Sequence, residues 1–421
     1  MGIRAELGCG AWARLPFSAL LLLGALLIAM AEPARAQSDG CTEGELLTYD
    51  PSYPVQLILT CVPPNWNGTL VVYAHGYEDP QEPLAVPDVT FGELDVPTEL
   101  MKLGFAFATS SFRKNGYAVQ QAGNDLNALV AHFPDTYGTP PDKVLIIGAS
   151  EGALIATMLV ERYPQTYAGG LALCGPLGGA NAEIQYLGDF RAVFDVYFDW
   201  IFDFGIVDGM PTYSNYGEYL AAKTYYAGQI GGAFSADQQA VEQLFSVTKV
   251  PRNPDPNINP IEAATQTALS LLRYNVFGFN DLRDVAGGNP YGNRWRWYSG
   301  SDNDWWLNRK VERVSADPAA RQYLREYYAP TGRLQRPLVS MHTTTDEIVP
   351  FWHELIYGFK VIAQGNAQKF TLLPVPRYGH CNFTEQEVLG SLALLLSETG
   401  TPLSPVLESY RRSLETTLAP Q

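Results

Sequence analysis

The run Val144-Leu145-Ile146-Ile147 leads directly into Gly148-Ala149-Ser150-Glu151-Gly152, and good helix formers continue from Glu151 to Tyr163. A buried strand that becomes a helix within five residues leaves the backbone little freedom. The two glycines let the chain turn there without Cβ clashes. A serine at such a turn is held on a strained elbow with its hydroxyl exposed, at a helix N-terminus that favours negative charge. In a chain with 38 glycines the G-x-S-x-G spacing alone is weak. Its position between a strand and a helix is what makes it informative.

The same rhythm recurs on both sides. Gly44 to Cys61 alternates as short strands would, and Thr69 to Ala74 is a buried-strand run ending in His75-Gly76-Tyr77. Thr98 to Leu103 is helical in pattern, Phe105 to Ser111 strand-like, and Gln120 to Phe133 has apolar residues at helical spacing. Tyr167 to Cys174 is a strand again. Strands alternating with helices predict an α/β protein with a mostly parallel sheet. After Gly179 the rhythm stops, and residues 180–335 carry helix and loop patterns rich in aromatics, from Phe190 and Phe194 to Trp305 and Trp306. That stretch is too long for a connection and reads as a mainly helical lid inserted into the core, with aromatics expected to line a pocket. The sheet resumes with Pro337 to His342 and Phe370 to Val375, so the core spans 37–179 and 336–421. Thr384-x-x-Glu387 has the form of a capping box opening the last helix, and Pro402 to Pro405 reads as a surface loop.

Residues 1–36 read as a signal peptide: Arg4 and Arg14 precede an apolar run from Phe17 to Met30, and Ala34-Arg35-Ala36 is a small-residue exit. The expectation is a secreted protein, extracellular or periplasmic, with no membrane anchor after cleavage. Net charge is −16, without the basic stripe that phosphates require, which argues against nucleic acid. Cys9 leaves with the leader, so Cys41, Cys61, Cys174 and Cys381 remain, an even number that suggests two disulfides in an exported chain. Cys41 and Cys61 bracket the N-terminal hairpin and are expected to pair. No C-x-x-C or H-x-x-x-H spacing occurs, and neither a metal nor a cofactor is expected.

The chain outside the insertion resembles the α/β-hydrolase superfamily. The resemblance rests on the glycine-flanked Ser150, on Asp346-Glu347-Ile348-Val349-Pro350, similar to that family's acid loop, and on Tyr378-Gly379-His380, similar to its histidine loop. It implies a nucleophile, Ser150, whose proton passes to the base His380, and an acid, Asp346, that fixes the imidazole tautomer. It also implies an oxyanion hole made by the backbone N–H groups of Tyr77 and Glu151. The carboxylate of Glu151 departs from the uncharged residue usual at that place and either points away or meets a substrate group. If His380 reaches Ser150, its loop crosses the end of the strand that carries Cys174, so Cys174 and Cys381 are placed to bridge.

Other residues compete for these roles. Glu347 is the rival acid. Of the other histidines, His132 reads as structural on a helix, His342 as a satisfied strand residue, His353 as a residue of the pocket mouth, and His75 as the end of its strand. Ser301-Asp302-Asn303-Asp304 lacks the glycine and distal Glu of a calcium loop and reads as a turn. The sequons at Asn67 and Asn382 are read as idle. The resemblance implies a serine esterase forming an acyl-enzyme on a small or polymeric ester. An exopeptidase or amidase, with Asp195, Asp199 or Asp203 receiving a substrate amine, is the first alternative, and a hydrolase-shaped binding protein the second. These residues leave the oligomeric state open.

Overall fold

A computed structural model describes residues 40–209 and 213–417, so the leader read from the sequence lies outside the described residues. The strands β1 (Cys41–Leu47), β2 (Val55–Cys61), β3 (Thr69–Ala74), β4 (Ala106–Ser110), β5 (Lys143–Ala149), β6 (Gly169–Leu173), β7 (Leu338–Thr345) and β8 (Phe370–Tyr378) form one sheet. Their spatial order is β1-β2-β4-β3-β5-β6-β7-β8. The first two pairings, β1 with β2 and β2 with β4, are antiparallel, and all the others are parallel. Strand β5 therefore sits mid-sheet, with Ala74 opposite Gly148 and Ala149 opposite Leu173.

Alternation along each strand divides the core. Leu70, Val72 and Ala74 of β3 face one side, where helices α2 (Val119–Tyr137) and α3 (Glu151–Arg162) pack. Val71 and Tyr73 face the other, beside α1 (Val96–Lys102) and a later helix near the C-terminus. Both faces of a parallel sheet must be covered, and the continuous apolar runs seen in the sequence come from that. Glu161 of α3 accepts hydrogen bonds from Gly332 N–H and the Tyr357 hydroxyl, so the helix also anchors the segments before and after the strand Leu338–Thr345.

Among the described residues, seven α-helices lie between β6 and β7: α4 (Ala180–Tyr197), α5 (Tyr216–Ala236), α6 (Gln238–Thr248), α7 (Pro260–Leu272), α8 (Phe279–Ala286), α9 (Asp304–Lys310) and α10 (Pro318–Tyr327), with a π-helical turn at 273–277. Asn215, Asp237, Asn259 and Asn303 cap four of them, each side chain accepting a backbone N–H of the first turn. Phe194 packs against Phe198, Phe202 and Phe234 and makes a second apolar centre there. The wholly buried guanidinium of Arg191 is paired with Asp195 and lies over the Phe202 ring. Trp295 and Trp305, by contrast, lie exposed on the surface.

Asp79 is one of several carboxylates that tie this bundle to the rest of the chain, as Asp281 does through Lys114 and Tyr117 N–H. Asp79, without solvent exposure, accepts from Arg273 Nε at 2.8 Å, from Lys223 Nζ at 2.7 Å and from the Tyr219 hydroxyl. The cations outweigh the burial that would raise its pKa and hold the carboxyl below its ordinary range.

After β7 come α11 (Trp352–Ala363), β8, α12 (Glu385–Glu398) and α13 (Pro405–Thr417). Thr384 and Glu387 form the capping box of α12. The Pro402–Pro405 segment, read as a loop, instead ends in a proline that opens a further helix, so α12 is not the last; proline is tolerated at a first helical position because its missing N–H would be unpaired there anyway. Strand β8 likewise runs past Val375 to Tyr378, because it is the edge strand and its prolines need no further partner. Among the described residues no helix is long and apolar enough to cross a membrane.

Candidate active site

The backbone of Ser150 has φ 56° and ψ −124°, a conformation L residues rarely adopt. It persists because the elbow admits nothing else: a Cβ on Gly148 would overlap the Gly152 carbonyl, and one on Gly152 would overlap the Ala74 carbonyl. The loop after β3 passes just as close, since a Cβ on Gly76 would lie 3.3 Å from Ser150 Cβ. Ser150 thus stands above the carboxyl end of β5, facing the loop that holds Tyr77. The N–H of Glu151 is the first of α3 and has no acceptor within the helix.

Two loops from the sheet's other half meet this serine. Asp346 follows β7 and His380 follows β8. The imidazole Nε2 lies 2.8 Å from Ser150 Oγ and its Nδ1 2.7 Å from Asp346 Oδ2. The other carboxylate oxygen of Asp346 accepts the N–H groups of Ile348 and Val349, each at 2.9 Å. Burial opposes ionisation of Asp346, but His380 and His342 outweigh it and hold the carboxyl well below the usual range. Glu347, the rival acid, is buried beside it, and burial raises its carboxyl. The structure sets Asp346 against the imidazole.

A sheet in this strand order, with a serine elbow after β5 and an acid and a histidine following β7 and β8, decides the architecture. This is the α/β-hydrolase fold. No protein-family model matches the chain. It is similar to an uncharacterized esterase of Agrobacterium fabrum, 25% identical over 198 residues, which are 43% of this chain and 36% of that protein. The chain thus matches about a third of that relative's length. Among solved structures, a likeness is found to an esterase of Pyrococcus furiosus, at 15% identity and TM-score 0.42 over 85% of this chain and 90% of that one. Candida antarctica lipase A in its closed state gives 14%, 0.45, 86% and 78% in the same terms. An acylaminoacyl peptidase of Pyrococcus horikoshii gives 9%, 0.41, 90% and 42%.

Within this hydrolase fold the histidine loop is pinned on both sides. The Thr343 hydroxyl donates to the Gly379 carbonyl at 2.7 Å, and Cys381 is disulfide-bonded to Cys174 at the end of β6. The second disulfide joins Cys41 to Cys61 across the β1–β2 pair. The Cys174–Cys381 bridge closes a separation of 207 residues. Replacing both cysteines by serine should therefore cost roughly 2–5 kcal/mol, because a long loop regains freedom in the unfolded chain. Urea unfolding of the double variant beside the parent measures it, and an unchanged midpoint would show that the bridge adds nothing.

Other sequence candidates fall elsewhere. His132 is half-exposed beside Thr136. His75 stacks on Phe112 at 3.8 Å, and burial lowers its pKa to about 4. His353, expected at the pocket mouth, is instead wholly buried, because α11 packs its ring under α4; it accepts from Gly178 N–H at 3.1 Å, and burial lowers it to about 3. Asp195 is committed to Arg191, while Asp199 and Asp203 are exposed. Asp304 accepts the N–H groups of Gly300 and Ser301, which closes Ser301–Asp304 as the turn expected there. Asn67 and Asn382, the two sequon asparagines, serve as turn partners of Thr69 N–H and the Tyr378 carbonyl.

Above Ser150 is a small cavity of about 50 Å³. Its walls are aliphatic (Leu154, Ile184, Val349) and tyrosyl (Tyr77, Tyr117, Tyr274). The aromatics singled out from the sequence are not among its lining; Phe190 borders a separate cavity of about 820 Å³ that reaches Asp346 but neither Ser150 nor His380. Two carboxyls do line the small cavity, Glu151 and Glu183. Glu151 turns toward α2 and accepts Ala118 N–H at 3.2 Å. Burial raises its pKa to about 8, and raises that of Glu183 well above the ordinary value. Sequence reasoning passed over Glu183; its place in the first turn of the helix after β6 was the available signal.

The raised pKa of Glu151 has a consequence for stability. The folded chain keeps that proton up to about pH 8, whereas the unfolded chain releases it near 4.5. Between those values the unfolded state binds fewer protons, so this group makes stability fall as pH rises. Glu151→Gln should flatten the decline by about one proton's worth, which urea midpoints at pH 5 and pH 8 compare directly. Equal slopes in parent and variant would refute it.

Proposed function

We propose that this chain is a serine hydrolase that cleaves carboxylic esters through an acyl-enzyme. The observation that carries the reading is the unbroken line Ser150 Oγ, His380 Nε2 and Nδ1, Asp346 Oδ2, at 2.8 and 2.7 Å. In it His380 takes the serine proton as the oxygen attacks and returns it to the leaving group, while Asp346 stabilises the imidazolium formed in between. The backbone N–H groups of Tyr77 and Glu151 receive the developing oxyanion.

The cavity over Ser150 selects what is acylated. A cavity this small, about 50 Å³ and walled by aliphatic and tyrosyl side chains, favours a short acyl group over a long chain. Burial raises both of its carboxyls, Glu151 to about 8, which disfavours an anion there to bind a substrate ammonium. That favours an uncharged short acyl group over an amino-terminal residue. The insertion, residues 180–335, acts as the cap of this cavity through Ile184 and Tyr274. The leader read at residues 1–36 and the two disulfides fit export to an oxidising compartment.

The test is a fluorophosphonate probe with the adduct mapped by mass spectrometry, alongside nitrophenyl esters from acetate to laurate and aminoacyl anilides. Labelling at Ser150 with kcat/KM falling from butyrate to laurate is expected. Absence of label would sink the nucleophile, anilide cleavage without ester cleavage the substrate class, and a preference for laurate the cavity argument.

A further inference from the structure

Strand β7 carries His342 four residues before Asp346, and the ring is wholly buried. Its Nδ1 lies 2.9 Å from Glu354 Oε1, and its Nε2 lies 2.8 Å from the Val349 carbonyl and 3.4 Å from Asp346 Oδ2. Each of these neighbours is an acceptor. An imidazole that meets acceptors at both nitrogens carries a hydrogen on each, and is then a cation. Burial opposes that charge, but the hydrogen bonds with Asp346 and Glu354 outweigh it and lift the group to about 10. Glu354, on the first turn of α11 and also wholly buried, accepts from the Ser340 hydroxyl at 2.9 Å through its second oxygen. A buried ion pair therefore stands directly behind the acid of the site, and the ester chemistry proposed for Ser150 does not use it.

We propose that His342 is a positioning residue for that reaction: its charge, clamped by Glu354, holds Asp346 ionised and in place and lowers the pH at which His380 takes up a proton. This rests on the reading of Ser150, Asp346 and His380 as the reacting set. The physical link is short. One oxygen of Asp346 is shared by the two rings, 2.7 Å from His380 Nδ1 and 3.4 Å from His342 Nε2. Protonating His380 thus sets two cations against one carboxylate oxygen. At an effective dielectric near 20, unit charges about 6 Å apart interact by roughly two pH units' worth of free energy. Glu354 on the far side offsets part of this, which leaves a shift of about one unit. The other titratable groups around the two rings are Glu347 on the acid loop, Glu183 and Tyr186 on α4, His353 on α11 and Tyr378 on β8. Replacing His342 and Glu354 leaves all five in place.

The experiment is an NMR titration of ¹⁵N-histidine-labelled protein, in the parent, in His342→Gln and in the double variant His342→Gln with Glu354→Gln. The double variant removes both charges together and so avoids a stranded buried carboxylate. His342 should show hydrogen on both nitrogens at pH 7. The His380 midpoint should rise by about one pH unit in the double variant and by about two in His342→Gln, where the Glu354 charge stays behind. The pH dependence of fluorophosphonate labelling should move with it. A neutral His342 at pH 7, or a His380 midpoint that stays put while only the maximal rate falls, would overturn the proposal and leave a packing role. If the parent protein takes no label at all, the nucleophile reading fails on its own account, and the titration still decides His342.

Discussion

Ser150→Ala should fold as the parent does and hydrolyse esters roughly 10⁴- to 10⁶-fold more slowly. The expectation of a normal fold comes from the elbow. Its geometry is imposed by Gly148, Gly152 and the Ala74 carbonyl, and alanine occupies the space that serine does. The size of the kinetic loss comes from removing the atom that forms the acyl bond; the residual rate is whatever enhancement the oxyanion donors and binding supply to water. Steady-state hydrolysis of nitrophenyl butyrate, with circular dichroism and a urea midpoint on the same sample, measures both halves. A loss of less than about tenfold would remove Ser150 from the reaction.

Asp346→Asn should lower kcat/KM by about 10⁴-fold, and for a different reason. The amide can still accept the N–H groups of Ile348 and Val349 through one oxygen, so the loop keeps its shape. Its nitrogen then faces His380 Nδ1, and two donors cannot share that contact. The ring turns its hydrogen toward Ser150 or swings away, and in either case it cannot take the serine proton. The same change leaves the His342 imidazolium beside a neutral amide, so a stability loss of about 1–3 kcal/mol should accompany it. Hydrolysis rates and urea unfolding report the two effects separately. A variant that kept its rate would mean that the imidazole does not depend on this carboxylate.

The sequence made the candidate residues visible because each sits at a break in a pattern. Ser150 interrupts a strand with glycines, and Asp346 and His380 each come after a buried run. Their three-dimensional neighbours were harder to read. His342 and Glu354 lie inside a regular strand and a regular helix, where their spacing says only that both are polar; the packing of α11 on β7 makes them partners. Glu183 was overlooked for the same reason, since its carboxyl reaches the cavity only through the angle at which α4 leaves β6. The aromatics of the insertion were conspicuous in the sequence but mostly build its own centre or lie outside. Tyr117 and Tyr274, which do line the cavity, stood in stretches with no periodic signal. Composition shows which side chains need burial and does not show against what.

Asp79 carries a consequence for anyone who would rebuild this molecule. Its carboxylate belongs to the segment just past Tyr77, yet every side chain that neutralises it comes from the inserted bundle. Excising the bundle, or exchanging it for one borrowed from another scaffold, would strand a bare anion three residues from Gly76. A transplant must therefore bring its own cation to that spot or accept an aspartate-to-alanine change in the recipient.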